Sequence, residues 1–135
     1  EIGVRLVGSE MCIRDRSIAA MAAIRADETD IKNILTACEN TEKLLLANKN
    51  HAEKDIAFHT AIALSSKNIV VPKLVPIINS SIPLIRESAK FTMRDETIEI
   101  HREIADAIAA HDAVRAHDAM YLHLIYNRKH IKSIN

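Results

Sequence analysis

Residues 97–132 read TIEIHREIADAIAAHDAVRAHDAMYLHLIYNRKHIK. Two helices are written here, with one break between them. In TIEIHREIADAIAAH, His101, Ile104, Ala105 and Ile108 recur at three- and four-residue spacing and so share one helical face. Asp112 then reads as an N-cap. The inner stripe of the next helix runs Ala116, Met120, His123 and Leu124, then Tyr126 or Asn127. Each helix therefore carries a histidine on the face it buries.

The same period extends toward the N-terminus. SIAAMAAIRA, from Ser17, reads as a helix. Asp27 looks like the N-cap of a second, with Asp30 three residues on in a capping-box position. Ile31, Ile34, Leu35, Cys38 and Leu45 follow at helical spacing. Asn50 with Glu53 repeats the cap pattern and opens a third helix, DIAFHTAIALS; SSKN ends it, and Asn68 reads as the next N-cap. Residues 69–90, IVVPKLVPIINSSIPLIRESAK, are apolar but interrupted by Pro72, Pro76 and Pro83. Interior prolines remove backbone hydrogen bonds and crowd the preceding turn, so this segment reads as a kinked helix. A strand reading lacks clean alternation. A break falls around Arg94 and Asp95. The sum is an all-α fold, a single antiparallel bundle of about six helices.

The composition agrees. Of 135 residues, 48% are hydrophobic, only 3% are aromatic, and Gly and Pro number two and three. So few turn-formers fit a helical domain. Lys+Arg and Asp+Glu balance at 18 each, which gives this chain no general attraction to nucleic acid. No apolar run approaches the roughly 18 residues of a membrane helix, so no membrane partner is expected. Cys12 and Cys38 have no metal-type spacing and read as reduced thiols of a cytoplasmic protein. The chain begins at Glu1 and is expected to be a fragment. Residues 1–16, EIGVRLVGSEMCIRDR, resemble translated sequencing-linker sequence and are set aside as a non-native segment, leaving 17–135 as the domain.

Seven histidines are a high count, and three of them fall on inner faces. In the third helix, Asp55 and His59 are four residues apart and point the same way. One carboxylate and three imidazoles, Asp55, His59, His101 and His123, suit one divalent first-row metal ion: zinc, nickel or manganese before cobalt or iron. Four protein ligands on an octahedral ion would leave two positions for water or a chelating organic acid. Singly, each has a plainer reading. Asp55 could be a first-turn acid favoured by the helix N-terminus, and a lone inward histidine is often a hydrogen-bonded core residue.

These residues carry a resemblance. DIAFHTAIALSSKN resembles the D-x-x-F-H-x-x-[IL]-x-x-x-S-x-N signature of the FCD domain, the C-terminal effector-binding domain of FadR-type members of the GntR transcription regulators. IHREIADAIAAHDAVRAHDAMYLHL resembles that family's H-x-x-I-x-x-A-I-x-x-x-D-x-x-x-A-x-x-x-M-x-x-H-L block, and AAMAAIRADETDIKNIL resembles the end of its first helix and the start of its second. The resemblance spans about Ser17 to Ser133. It implies a metal-binding branch whose ligands fall on Asp55, His59, His101 and His123, and a metal that anchors a small carboxylate effector. It implies a binding module, not an enzyme, in a homodimer that meets DNA only through a winged helix-turn-helix domain missing from this sequence. The sequence departs from the pattern at Ile100, where an acidic residue is usual, and in its prolines. The family's Arg-containing first-helix stretch is replaced by residues 1–16.

The rival reading is an HD-type metal-dependent phosphohydrolase, suggested by His111-Asp112 and His117-Asp118. Asp112 is better explained as a cap, and His117 and Asp118 fall off the inner stripe. Arg86, late in the fourth segment, could pair with an effector carboxylate; a surface position is its plainer reading.

Overall fold

The computed structural model describes residues 17–71, 73 and 94–134. Five helices stand among them, and no strand: α1 over residues 17–25, α2 Glu28–Leu46, α3 Ala52–Ser65, α4 Arg94–Ala109 and α5 Ala113–Ile134. The all-α expectation is met.

Local chemistry sets the helix ends. The Asp30 N–H donates to Asp27 Oδ1 at 2.8 Å and the Asp27 N–H to Asp30 Oδ2 at 3.1 Å, closing the expected capping box of α2. The Arg115 N–H donates to Asp112 Oδ1 at 3.1 Å, the cap expected for α5. With no glycine outside residues 1–16, helix C-termini turn on other residues: Asn48, Lys67 and His111 all have φ between 55° and 58°. Such left-handed backbone costs an L-residue roughly 1–2 kcal/mol. After α2 and α4 it completes a Schellman turn: Lys49 N–H to Leu44 O and Asn48 N–H to Leu45 O, then Asp112 N–H to Ala107 O and His111 N–H to Ile108 O.

Those tight turns fold the chain into two helical hairpins, α2–α3 and α4–α5, with α2 also packed on α4. α1 fits close because, beside Ile18, its buried positions Ala19, Ala22 and Ala23 are small, as is Ala26 just past its end. Two bonds hold it. Arg25 donates to Ser66 O at 3.1 Å, and the His111 ring Nδ1 lies 2.8 Å from Ala23 O. The core joins Ile34, Phe58, Ile62, Ile104, Ile108 and Met120 from four helices. Burying each such side chain stabilises the fold by about 1.5–3 kcal/mol before entropy is charged.

Three expectations need correction. Leu35 is 36% exposed; Thr41 occupies the buried stripe with Ile34, Cys38 and Leu45. The N-cap of α3 is His51, not Asn50, and it makes no side-chain cap bond. Asn50 still serves the helix start, accepting the Ala52 N–H at 3.0 Å, but Glu53 is then out of register for a capping box. Arg94 and Asp95 belong to α4 instead of a break before it. The expectations for residues 1–16, for the three prolines of the fourth segment and for Arg86 lie outside the described residues.

Candidate metal centre

The sixteen residues of α4 bury His101 with Ile104, Ala105 and Ile108, as the stripe requires. α5 buries His123 below Ala116 and Met120. α3 adds Asp55 and His59 from one face. All four expected ligands converge. His101 and His123 are 2% and 3% exposed, while the side chains of Asp55 and His59 keep 23% and 25% of their surface. The cluster thus has a closed floor and an open rim.

One ligand atom from each of His59, His101 and His123 lies within 4.8 Å of the others. Asp55 Oδ1 lies 3.3 Å from both His59 Nε2 and His101 Nε2. The rings lock one another. His59 stacks on His123 with centroids 5.2 Å apart, and His101 meets His123 edge-on at 4.9 Å. Phe58, wholly buried, packs on His101 at 4.8 Å. The imidazoles therefore stand on a hydrophobic base that restricts their rotation.

Asp55 Oδ1 and His101 Nε2 are buried, and neither is satisfied by a hydrogen bond. Leaving such an atom unmet costs about 1–3 kcal/mol, so two of them facing each other call for a partner. Protonation is not the remedy the core favours. Burial lowers the His101 pKa to about 4, against a smaller opposing pull from Asp55. Burial likewise holds His123 well below the usual imidazole range. For Asp55, burial alone would favour the acid form, but His59 and then His101 and His123 outweigh it and keep the carboxyl ionised. Neutral imidazoles beside an ionised carboxylate are the protonation states a divalent cation needs. The donor set fits such an ion.

The other histidine–aspartate pairs do not gather. His111 is engaged with Ala23 O, Asp112 caps α5, and His117 and Asp118 sit exposed beside each other with Nδ1 3.2 Å from Oδ1. No HD-type centre forms among the described residues. A cleft of about 470 Å³ opens between α2 and α4, lined by Glu42, Leu46, Asp95, Ile98, Glu99, Arg102, Glu103 and Asp106. It contains none of the four ligand-type residues, and an exposed Arg102–Glu42 ion pair crosses its wall. The residue the sequence reading passed over is His51, 6% exposed at the start of α3. Its available signal was the spacing His51–Asp55–His59, a single column at four-residue intervals.

An all-helical bundle with ligand-type side chains turned inward from three helices is the arrangement in which bundle proteins build ligand and metal sites. The FCD domain family matches residues 15–125, and the chain belongs to that family. It is 29% identical over 114 residues to the Bacillus subtilis (strain 168) protein "Uncharacterized HTH-type transcriptional regulator YcbG", covering 84% of this chain and 48% of that one. It also superposes on a solved structure titled "Streptococcus agalactiae GntR", with a TM-score of 0.78 and 30% identity, over 91% of this chain and 57% of that one. The chain thus spans about half the length of the curated relative it matches.

Proposed function

We propose that this chain is the effector-sensing domain of a GntR-type transcription regulator, in which Asp55, His59, His101 and His123 hold one divalent metal ion that anchors a small organic acid. The family match and the names of the similar proteins support the regulator. The metal rests on one observation: three imidazoles gather with Asp55 Oδ1 3.3 Å from two of them, while Asp55 Oδ1 and His101 Nε2 stay unsatisfied. Zinc, nickel and manganese are the ions of choice for this ligand set.

When bound, the ion supplies open coordination positions for the oxygens of a hydroxy- or keto-acid. The protein residues do the rest. Phe58 and the core beneath it keep bulk water from the floor of the site, and the exposed edges of Asp55 and His59 leave the entrance on one side. Signalling is a population shift: an acid that prefers one arrangement of the hairpins biases the domain toward it. In a cytoplasmic homodimer this would alter the spacing of two upstream winged helix-turn-helix domains, the parts that contact DNA. The domain is a binding module, and catalysis is not part of the reading.

Elemental analysis after gel filtration tests the metal, with about one ion per chain expected. Calorimetric titration of hydroxy- and keto-acids into metal-loaded and metal-stripped protein tests the effector, with binding expected only to the former. An ion-free protein that gains no thermal stability from zinc, nickel or manganese would refute the reading.

A further inference from the structure

One side chain touches two of the ligand-type rings and has no donor atom of its own. Phe58 is wholly buried and sits on α3, next in sequence to His59. Its ring meets that of His101 at 4.8 Å, tilted by 35°, and that of His59 edge-on at 5.5 Å. Both separations fall in the range where aromatic rings attract. The two imidazoles come from different hairpins, His59 from α2–α3 and His101 from α4–α5. Their own contact is longer, 5.8 Å and edge-on, so Phe58 lies nearer to each than they lie to one another. A ligating histidine is ordinarily oriented by a hydrogen bond from its second ring nitrogen to a group outside the ligand set. Among the described residues, that role falls for His101 to rings: Phe58 and, at 4.9 Å, His123. Its polar contact, Asp55 Oδ1 at 3.3 Å, is itself a ligand-type residue.

We propose that Phe58 is a positioning residue of the metal centre: its ring fixes His59 and His101 relative to each other in the metal-free protein, so that the two hairpins present a preformed donor set. The inference rests on the metal-anchored reading given above. A wholly buried ring in a close-packed interior has little room to swing. An imidazole packed against it is confined as well, and the confinement is complete before an ion arrives. Ordering a side chain at the moment of binding weakens a complex, whereas ordering completed during folding does not. An aliphatic side chain of similar volume fills the same space but offers no ring face, and leaves the imidazoles freer to turn. Losing an outer contact that orients a ligand typically lowers metal affinity about 10- to 100-fold. Core packing alone has a different signature: it lowers the stability of the domain and leaves the affinity of the folded form for its ion unchanged.

The full chain, stripped of metal, is compared as wild type, Phe58→Leu and Ile34→Val. Ile34 is the packing control: it is 1% exposed, belongs to the same core and stands on α2, which carries none of the four ligand-type residues. Each protein gives a metal-free Tm, affinities for zinc, nickel and manganese by competition with a chromogenic chelator, and the visible absorption band of its cobalt-loaded form, which reports ligand geometry. Both variants are expected to lose some Tm. Phe58→Leu is expected to bind its ion about 10- to 100-fold more weakly than wild type and to shift the cobalt band, while Ile34→Val stays within about twofold and keeps the band. Phe58→Met, also ringless and able to fill an irregular gap, carries the test if the leucine variant does not fold. Wild-type affinity and an unshifted band in a folded Phe58 variant overturn the role of Phe58 and leave the metal reading standing. An equal loss of affinity in Ile34→Val, or failure of both Phe58 variants to fold, also overturns it, by making Phe58 a core residue and no more. A wild-type protein that takes up none of these ions overturns both readings.

Discussion

Replacing His101 with leucine should change the stability of the metal-free domain little while removing most of its response to metal. His101 is 2% exposed and its Nε2 is unsatisfied. Removing such a group recovers about 1–3 kcal/mol. Against this stand the ring contacts with Phe58 at 4.8 Å and His123 at 4.9 Å, worth about 0.5–1.5 kcal/mol each, and imperfect fit of leucine, typically under about 1.5 kcal/mol. Taken at their midpoints the terms leave the variant about 1 kcal/mol less stable, a small change. Metal binding breaks the balance. At a free ion concentration 100 times Kd, wild type gains about 2.7 kcal/mol, or on the order of 10 °C in Tm for a domain of this size. The variant, short of a buried ligand, gains little. Thermal unfolding in chelator and in added zinc, for both proteins, would show the two curves close together in the first and well separated in the second. A metal-free variant destabilised by more than about 2 kcal/mol, with the metal response intact, would show His101 to be a satisfied core residue and the reasoning wrong.

Further outcomes are expected. His123→Ala should weaken metal binding without eliminating it, because Asp55, His59 and His101 remain, and should speed amide hydrogen exchange in α5 relative to α2. Asp27→Ala should destabilise the domain by about 1 kcal/mol, read by denaturant titration, since it removes half of a reciprocal capping box. The metal-free domain should lose stability as pH falls from 6.5 to 4: the unfolded chain takes a proton on His101 near pH 6.5, the folded one only near 4. Stability is complete above the higher value, and His101 alone accounts for a loss of about 3 kcal/mol across the window; a flat urea-midpoint profile over that range would contradict the buried neutral imidazole. Deleting residues 1–16 should lower Tm by less than about 8 °C.

Much of this architecture is legible in the sequence where one physical period dominates. In α4 and α5, apolar residues and histidines share a strict three-and-four spacing, so His101 and His123 could be placed on buried faces before any coordinates. Asp55 and His59 were equally legible, because i and i+4 fix a common direction. Legibility fails where a boundary intervenes. Asn50 is a better capping residue than His51, so propensity put the start of α3 one residue early, and the shift hid His51 as the first member of the α3 column. Leu35 lies at the margin of its stripe, where the small rotation that favours Thr41 decides exposure. The turn at His111 is opaque for another reason. No glycine marks it, and the bond that supports its left-handed backbone comes from Ala23, 88 residues away.

The division of the ligands between the hairpins has a consequence for assembly. Asp55 and His59 belong to α2–α3, and His101 and His123 belong to α4–α5. Each half closes through its own short turn, and neither half can chelate an ion firmly with two donors. The proposed centre is therefore a clasp whose two jaws are made separately. Broken between α3 and α4 and produced as two chains, the domain should reassociate more tightly as metal is supplied, and fall apart under a chelator. Within the intact chain, occupancy by the proposed ion would report directly that the seam between the hairpins is shut.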